Sequence, residues 1–421
     1  MKILIIAYYY PPLHTGGTPR PHLWAKHLAK LGHDVSVLTQ TYTRTTAEPG
    51  NPRVIRIRDI SCNKDKTGIR KKIRWLLLRG VTEVLNILGI YHSIYSWWKH
   101  NVIRHSEHII RLTQPDIIIA TYPPVETLEI GTYLGRIYGI PLITDFRDGL
   151  MFEPIESKRM SQYRCIRNTY REIEQHTAAQ AAAITAVSTP ITEYYRETYR
   201  PPYTELIFNA FDPEDLKDLP TGIQLEADAF NIVFTGRFSL SDQYHQAGFF
   251  FTAVRLLIAK EKQLERKIKI HLVGEYRREE LAGLEDLLLK GIIERHGFVE
   301  RRTALAFQRA ADLLLIISRV DRPSFASAKI FEYLFSGKPI LALAHNNTLE
   351  NIIKETKTGW IVHPQQPEAI AELLEKIITD KEFYHALQPE RETIENYSIA
   401  AQIKTLNALL AKIENREKPA F

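Results

Sequence analysis

The chain has 421 residues, of which 44% are hydrophobic and 25% are charged. This balance is that of a globular protein, and it excludes a disordered chain or a fibrous repeat. The length predicts two or three domains. The only cysteines are Cys62 and Cys165, which excludes a disulfide framework and is typical of folding in a reducing cytoplasm.

The formal net charge of +6 is concentrated in one segment. Between Lys64 and Arg111 there are ten basic and three acidic residues, so the remainder of the chain is nearly neutral.

Residues 1–7 lack the length and cleavage site of a signal peptide and predict a buried strand. The most apolar stretch, 75–98, is interrupted by charged residues, so we expect no transmembrane helix. Because no cysteine and histidine cluster has zinc-site spacing, we also expect no metal site.

The first half of the chain alternates short Val/Ile/Leu runs with helical patterns. Such runs predict strands buried on both faces and joined by helices, which is the pattern of a parallel sheet. The predicted strands are 2–7, 35–39, 54–58, 116–120, 141–144 and 184–187. The predicted helices are 20–31, 125–138 and 163–183.

The same pattern restarts in the second half, after Pro/Gly-containing stretches at 199–203 and 212–228 that predict the divide between two domains. The predicted strands here are 231–235, 268–273, 292–298, 312–317 and 339–344. We therefore predict an α/β protein with two doubly wound domains, 1–210 and 211–394, that face a cleft. Because ligands of such sheets bind beyond the carboxyl ends of the strands, the loops after strands are the candidate sites.

Three loops have residues suited to a phosphate-containing ligand. Gly16 and Gly17 precede a helix and allow close backbone approach, although a tight turn without a ligand explains them equally well. Gly236-Arg237 ends a strand, where an arginine can hold a diphosphate or remain a solvated charge. Residues 324–340 pass from a loop of small residues into a helix and then a strand. The small residues, which leave backbone N–H groups open to phosphate, are Ser324, Ser327 and Ala328.

Lys329 and Glu332 are three residues apart, so a helix places both on one face. In that position Lys329 neutralises phosphate and Glu332 accepts hydrogen bonds from ribose hydroxyls; the alternative is a surface ion pair worth at most about 1 kcal/mol. Neither a GxGxxG fingerprint in a βα context nor a GxxxxGK[ST] loop occurs in the sequence.

The passage from this loop through Gly337-Lys338-Pro339 resembles the donor site of retaining family 4 glycosyltransferases of the GT-B fold. The resemblance extends over nearly the whole chain, since further motifs follow in the family's order. These are the opening strand with its glycine loop, Val187-Ser188, residues 209–212, 234–237, 273–274, 296–299 and 358–362. The sequence is particularly similar to a branch that acts on bacterial surface polysaccharides, with its Phe146-Arg147-Asp148 and K-x-x-E-Y-L patterns.

The resemblance implies a role for particular residues, with Arg237, Lys329 and Glu332 as the catalytic set. It places Glu332 on the donor ribose, Arg237 on the donor diphosphate, Gly16 and Gly17 beside the reacting sugar, and Phe298 and Val299 at the nucleobase. The carboxyl-terminal segment 395–421 is expected to form a helix that returns to the amino-terminal domain. Three departures stand out. Ser324 replaces the first glutamate of the family's pair, the lysine that normally follows Gly-Arg is absent, and Arg147 occurs where many members have a histidine after the mid-domain strand.

The implied reaction is retaining transfer of a sugar from a nucleotide-diphosphate donor to a glycan or lipid-linked acceptor, with no cofactor and no metal. The chain has no Asp-x-Asp motif of the kind that holds manganese in the other glycosyltransferase fold. Candidates for orienting the acceptor are His14, Asp145, Arg147 and Asp148. For the two aspartates, a structural network at the end of a strand is an equally good interpretation.

The basic segment 64–111 mixes cations with tryptophan and leucine, which favours contact with an anionic membrane surface. The residues assigned to that surface are Arg70, Lys71, Lys72, Arg74, Trp75, Trp97 and Trp98. This predicts a cytoplasmic enzyme bound peripherally to the inner face of the membrane. An ordinary amphipathic helical pair is the main alternative, and no nucleic-acid-binding motif supports a nucleic-acid partner.

Two other functions remain open at this point. A nucleotide-sugar epimerase shares the two-domain architecture, but it needs acidic and histidine residues around the sugar, where this chain has Ser324 and Lys329. The loss of the first glutamate also suggests a non-catalytic nucleotide-sugar or glycan-binding protein.

Overall fold

A computed structural model describes residues 1–13, 15–41, 46–59, 69–154, 157–217, 219–238 and 246–417. At 69–72, 74, 157, 216, 246, 416 and 417 it describes the backbone alone. The chain divides into two compact units. The first comprises Met1–Phe208 together with Gln402–Phe421, and the second comprises Asn209–Ala401.

The first unit is built on an eight-stranded sheet with the order β3-β4-β2-β1-β5-β6-β7-β8. Only the pairing of β3 with β4 is antiparallel among these strands. The strands are β1 (Lys2–Ile6), β2 (Asp34–Thr41), β3 (Thr46–Glu48), β4 (Arg53–Arg58), β5 (Ile117–Tyr122), β6 (Leu142–Phe146), β7 (Ala183–Ala186) and β8 (Thr204–Leu206).

Helices connect these strands. They are α1 (Pro19–Lys30), α2 (Ile69–Ile87), α3 (Ser96–Arg104), α4 (Ser106–Thr113), α5 (Val125–Tyr138), α6 (Ser157–Gln162), α7 (Arg164–Gln180) and α8 (Thr189–Tyr199). Of these, α1, α5 and α7 correspond to the predicted helices 20–31, 125–138 and 163–183. Helix α5 has the predicted bounds because it ends at Gly139, whose φ of 68° suits the left-handed residue after a helix. Strands β3 and β8, of three residues each, are additional to the prediction.

The second unit has a six-stranded sheet, all parallel, with the order β11-β10-β9-β12-β13-β14. Its strands are β9 (Phe230–Thr235), β10 (Ile268–Val273), β11 (Ile293–Gly297), β12 (Leu313–Ile317), β13 (Ile340–Leu343) and β14 (Gly359–Val362). Its helices are α9 (Gln246–Lys260), α10 (Glu285–Leu289), α11 (Arg301–Ala310), α12 (Lys329–Ser336), α13 (Thr348–Thr356), α14 (Pro367–Thr379), α15 (Lys381–His385) and α16 (Arg391–Glu395). Short 3-10 turns occur at Pro213–Leu216, Lys262–Arg266 and Arg278–Glu280.

The last helix, α17 (Ile399–Glu417), begins in the second unit and continues in the first. Its Gln402 Oε1 accepts a hydrogen bond of 2.7 Å from the Phe208 backbone N–H, and Asn407 Oδ1 lies 2.7 Å from His33 Nε2. The predicted return of this helix to the amino-terminal domain is therefore confirmed.

Each unit has its own apolar core, formed by the strands and the faces of the helices that cover them. The predicted fold class, two parallel α/β sheets, is confirmed. Within the described ranges, no helix combines the length and apolar character needed to cross a membrane.

Candidate active site

The carboxyl ends of β9 and β10 meet the start of α12 in very close contact. A Cβ on Gly274 would lie 2.3 Å from the carbonyl oxygen of Gly236, and a Cβ on Gly236 would lie 2.7 Å from Lys329 Cε. Gly236 also has a φ of 94°, which side-chain-bearing residues rarely adopt. Glycine is therefore required at both strand ends, and its absence of a side chain makes room for Lys329.

The Lys329 amine is the least satisfied group of this region. Its Nζ is buried and finds no hydrogen-bond partner among the described residues, and it lies 4.2 Å from the centre of the Phe234 ring. Burial lowers the pKa of Lys329 to about 7, although the nearby Glu332 carboxylate acts in the opposite direction. A buried amine without a partner is placed to receive an anion.

Arg237 follows Gly236 as predicted, but its guanidinium is already paired. Arg237 Nη2 lies 3.1 Å from Glu280 Oε2, a carboxylate that also accepts from the Arg277 backbone N–H. Arg237 Nε is buried and has no hydrogen-bond partner in the part of the chain that the structure describes. The arginine is thus neither a simple solvated charge nor a fully open anion site, since a diphosphate would compete with Glu280.

Glu332 takes part in a polar network rather than a pair with Lys329. Its Oε1 accepts from Arg301 Nε at 3.1 Å, and its Oε2 accepts from Gln308 Nε2 at 3.3 Å. Arg301 in turn contacts Asp215 Oδ2 at 2.7 Å. The Glu332 side chain is 25% exposed, so its oxygens remain accessible to a ligand while Arg301 and Gln308 fix their orientation. The sequence did not single out Arg301 or Gln308, because they become neighbours of Glu332 only when α11 packs beside α12.

The remaining donor-site candidates lie in exposed or half-buried positions. Phe298 is 74% exposed after β11, and Val299 is half-buried. Ser324 and Ser327 are half-buried in the loop before α12, and Ala328 is the exposed residue before that helix. Ser327 Oγ accepts from the Lys329 backbone N–H at 3.4 Å. An exposed phenylalanine beside a strand end offers an open face on which an aromatic ring can stack.

In the first unit, the glycine loop after β1 packs against the loop after β6. A Cβ on Gly17 would lie 2.5 Å from Arg147 Nη1 and 2.9 Å from Tyr9 Cδ2. Arg147 is held by the Tyr122 and Pro123 carbonyl oxygens, which accept from Nε at 3.2 Å and from Nη2 at 2.6 Å. Burial lowers the pKa of Arg147, and Asp148 opposes that effect. The structure therefore brings together Gly17 and Arg147, two candidates that the sequence analysis named separately, while His14 lies outside the described residues.

Asp145 belongs to a buried structural network and not to an acceptor site. It forms an ion pair with Arg20 at 2.7 Å, and it also accepts hydrogen bonds of 2.8 Å each from Thr121 and Thr185. Arg20 and Asp145 are both almost fully buried, and Arg20 also donates to the carbonyl oxygens of Ile207 and Phe208. Both oxygens of Asp145 are used, so an acceptor hydroxyl has no access to them. The structural interpretation of Asp145 is correct, and Asp148, which is half-buried, remains a candidate.

The Gly17 contact leads to a prediction with a built-in control. Gly17→Ala is expected to displace Arg147 and lower glycosyl transfer, whereas Gly248→Ala, at an exposed position of α9, should leave it nearly unchanged. The difference arises because, among the described residues, nothing lies within 4 Å of a Cβ placed on Gly248. Steady-state kinetics of both variants beside their melting temperatures would test this. Equal activity of the two variants would contradict a functional contact between Gly17 and Arg147.

A cavity of about 250 Å³ lies in the first unit. Its lining comes from α2, the segment before α3, and α6, and comprises Trp75, Arg79, Thr82, Glu83, Ser93, Ile94, Tyr95 and Arg159. Tyr95 connects it to the glycine loop, since its hydroxyl lies 2.8 Å from the hydroxyl of Tyr9. The sequence did not predict this cavity, because its wall combines residues from separate helices.

The structure does not place all residues of the predicted membrane surface in exposed positions. Trp98 is fully buried against Tyr8, so its assignment to a surface is wrong. Trp75 lines the cavity and Trp97 is 39% exposed. The side chains of Arg70, Lys71, Lys72 and Arg74 lie outside the described residues. What the structure adds is an apolar stripe along α2, between 48% and 69% exposed, formed by Ile73, Leu76, Leu77, Val81, Val84 and Ile87.

Two family models match the chain, in the order of its two units. Residues 15–209 match the glycosyl transferase 4-like domain, and residues 229–380 match the glycosyl transferases group 1 domain. An uncharacterized glycosyltransferase of Methanocaldococcus jannaschii is 25% identical over 426 residues, covering 94% of this chain and 95% of the relative.

Solved structures share the fold over the full length of the chain. Sucrose-phosphate synthase from Thermosynechococcus elongatus has a TM-score of 0.69 at 15% identity, and the match covers 99% of both chains. HepE from Anabaena, solved with UDP and glucose, has a TM-score of 0.60 at 16% identity, covering 98% of this chain and 99% of that one. An α,α-trehalose-phosphate synthase (UDP-forming) from Burkholderia xenovorans has a TM-score of 0.64 at 11% identity, covering 97% and 100%.

The protein is a glycosyltransferase of the GT-B fold. More particularly, it joins an amino-terminal glycosyl transferase 4-like domain to a carboxyl-terminal domain of the glycosyl transferases group 1 type.

Proposed function

We propose that this glycosyltransferase moves a sugar, with retention, from a nucleotide-diphosphate donor to a lipid-linked or polysaccharide acceptor at an anionic membrane surface. The main support for a nucleotide-diphosphate donor is the buried Lys329 amine, which lies between Gly236 and Phe234 and has no hydrogen-bond partner among the described residues. Such an amine gains most from an anion that comes within reach, because a charge interaction is stronger away from bulk water.

In the proposed reaction, Arg237 and Lys329 stabilise the negative charge that develops on the leaving diphosphate. This kind of electrostatic stabilisation acts most strongly in the transition state. Glu332, oriented by Arg301 and Gln308, accepts hydrogen bonds from the donor ribose. The leaving phosphate takes the proton of the acceptor hydroxyl on the same face, so no separate base is needed.

The choice of donor class has support from the relatives. HepE was solved with UDP-glucose, and the related trehalose-phosphate synthase is described as UDP-forming, so uridine nucleotides are the first donors to test. The exposed Phe298 provides a surface for a nucleobase. Independence from metal is proposed because the site has two cations of its own and the sequence has no Asp-x-Asp motif.

The acceptor side is proposed to use the first unit. The cavity at Tyr95 is linked to the glycine loop by the Tyr9–Tyr95 hydroxyl contact. Its wall combines aromatic side chains with Arg79 and with Arg159, which pairs with Glu83 at 3.4 Å. Apolar and cationic groups together suit an acceptor that has a lipid and a phosphate. This agrees with the resemblance to the branch that acts on bacterial surface polysaccharides.

A panel of nucleotide sugars, screened by thermal shift with hydrolysis measured in parallel, tests the donor assignment. We expect one donor to raise the melting temperature, since a ligand at a hundredfold excess over its Kd adds about 2.7 kcal/mol of stability. That donor should slowly release its nucleotide diphosphate in the presence of EDTA, and NMR of the newly released sugar, recorded before it mutarotates, should show the anomeric configuration retained.

Each alternative function predicts a different outcome of this screen. An epimerase would change the sugar while it remained on the nucleotide, and a non-catalytic binding protein would give a thermal shift without any turnover. A complete loss of activity with EDTA, restored by Mn²⁺, would contradict the metal-independent mechanism.

The membrane surface is proposed on the exposed stripe of α2. Its residues recur every three or four positions, so they form one face of the helix, and they belong to the most basic segment of the chain. An apolar face within a basic segment suits the interface of an anionic bilayer, where each cation near the surface contributes about 1 kcal/mol.

Sedimentation with vesicles tests this surface. The wild-type protein should bind phosphatidylglycerol-containing vesicles at low salt, and the triple variant Leu76→Ser, Leu77→Ser and Val84→Ser should not. Leu289→Ser is the matched control, because Leu289 is 89% exposed but lies in the second unit. If the triple variant sediments with vesicles like the wild type, the stripe does not bind membranes. If gel filtration shows that the wild type self-associates and the triple variant does not, while vesicle binding is the same for both, the stripe binds a second copy of the chain instead.

A further inference from the structure

We infer that His271, Glu294 and His296 form a binding site for a divalent transition-metal ion such as Zn²⁺. His271 lies on β10, and the other two lie on the neighbouring edge strand β11. Glu294 is the direct register partner of His271, and His296 is the extra residue of β11 at the register shift between the pairs Leu272–Arg295 and Val273–Gly297. This group lies outside the donor-site residues, and the inference does not depend on the proposed function.

The distances within the group are close to those between the ligands of a tetrahedral ion. His271 Nδ1 lies 3.0 Å from His296 Nε2 and 3.4 Å from Glu294 Oε2, and one ligand atom from each residue lies within 4.8 Å of the others. Ligand atoms about 2.0–2.2 Å from a tetrahedral ion are roughly 3.3–3.6 Å from one another. Small side-chain movements therefore suffice to place all three ligands around one ion.

The surroundings hold His271 in the tautomer that a metal needs. The Asn231 amide nitrogen donates to the carbonyl oxygens of Glu226 and Ala229 and to Asp312 Oδ2, so its Oδ1 must face His271. That oxygen lies 3.0 Å from His271 Nε2, which must be the protonated nitrogen because an amide oxygen only accepts. Nδ1 therefore presents its lone pair to His296 and Glu294. A fixed tautomer of this kind is the usual outer-sphere support of a metal-bound histidine.

The charge and exposure of the ligands also suit an ion. His271 and His296 each offer an imidazole nitrogen, and Glu294 offers a carboxylate oxygen. His271 is 2% exposed, whereas the Glu294 side chain is 58% exposed, which gives the ion an entry from solvent. Two imidazoles and one carboxylate leave a fourth position for water, and imidazole ligands favour Zn²⁺, Cu²⁺ and Ni²⁺ over Mg²⁺ or Ca²⁺.

A bound ion would cross-link the edge strand β11 to β10. One of its ligands, His296, lies two residues before Phe298. The alternative is a simple hydrogen bond in which His296 Nε2 donates to His271 Nδ1, which gives the same 3.0 Å distance. The two interpretations differ in the measurements below.

The test uses the full-length protein, stripped with EDTA and desalted, then titrated with Co²⁺ while visible absorption is recorded. We expect one Co²⁺ to bind with the intense visible bands of a tetrahedral site, and Zn²⁺ to displace it. His296→Gln and Glu294→Gln should each weaken Co²⁺ binding by at least about tenfold. A loss of this size in metal affinity is typical even when the replaced residue only hydrogen-bonds to a metal ligand. His271 is left unchanged, because replacing a buried side chain risks the fold.

His363→Gln is the control, because His345 and His363 form another close histidine pair with ring centres 4.6 Å apart. This variant should bind Co²⁺ like the wild type. Zn²⁺ should raise the melting temperature of the wild type and His363→Gln, but not that of His296→Gln. The inference is overturned if the wild type shows no saturable Co²⁺ bands, or if only His363→Gln removes them.

Discussion

Lys329→Met is expected to lower turnover by about 10²–10³-fold with the donor that the screen identifies, the loss typical of removing one preorganised group that stabilises transition-state charge. Methionine has a similar length and is apolar, so it fits beside Phe234 without a buried amine. The folded protein should therefore be as stable as the wild type or more so. Steady-state kinetics and thermal unfolding measure the two effects separately.

Lys354→Met is the matched control for this prediction. Lys354 lies on α13 with a side chain 63% exposed, and its ion pair with Glu350 is on the surface. We expect its turnover to be unchanged. If Lys329→Met retained full activity, Lys329 would have no role in the transfer; if it lost activity only together with stability, the role of Lys329 would be structural.

The Lys329 amine also predicts how donor affinity depends on pH. Its pKa of about 7 in the free protein means that the amine is mostly neutral above that pH, and an anionic diphosphate favours the charged form. Donor binding above pH 7 must therefore take up a proton. Affinity should fall as pH rises above about 7, by up to about tenfold per pH unit.

Calorimetry of donor binding in buffers of different ionisation enthalpy measures this proton uptake directly. The uptake should be absent in Lys329→Met, whose donor affinity should follow a flatter pH profile. The free protein should show the linked effect on stability. Because the unfolded lysine keeps its proton up to about pH 10.4, the free energy of unfolding should decrease as pH falls from about 10 to 7 and then level off.

Asp145→Asn is expected to destabilise the first unit by about 3–5 kcal/mol, because it leaves Arg20 charged and buried without its partner. Three groups donate to this carboxylate, so the substitution also disturbs the hydrogen bonds from Thr121 and Thr185. Urea unfolding followed by circular dichroism measures the change. The double variant Arg20→Met with Asp145→Asn should recover part of the loss, since no unpaired charge remains.

Glu205→Gln serves as the control for a pair on the surface. Glu205 contacts Lys412 at 3.0 Å in an exposed position, so the loss should be about 0–1 kcal/mol. An acceptor-orienting role for Asp145 would give the opposite result, with stability nearly unchanged and a raised KM for the acceptor.

The sequence alone predicted the features that depend on neighbouring residues. Runs such as Ile117–Ile119 indicated the buried parallel strands, and the helical pattern of residues 125–138 indicated α5 with its observed bounds. The order of short motifs indicated a GT-B glycosyltransferase, which the family matches confirm. Strands β3 and β8 were missed because three residues are too few to show a periodic pattern. Strand β14 was also missed, since residues 358–362 were identified only as a motif.

Side-chain partners required the tertiary structure, because they come from residues far apart in the chain. Asp145 meets Arg20 across 125 positions, and Arg237 meets Glu280 across 43. The spacing of charged residues in the sequence gives no information about either contact. For that reason Asp145 was as good a candidate for an acceptor site as for a structural ion pair.

Burial of aromatic residues was decided in the same way. Trp97 and Trp98 are adjacent, yet one is exposed and the other lies in the core, because consecutive residues on a helix point in different directions. The histidines of the inferred metal site are 25 positions apart and have no recognisable spacing. The sequence determined which strands and helices form, because these depend on local periodicity. The contact between His271 and His296 depends on the parallel pairing of β10 with β11, so only the tertiary structure decided it.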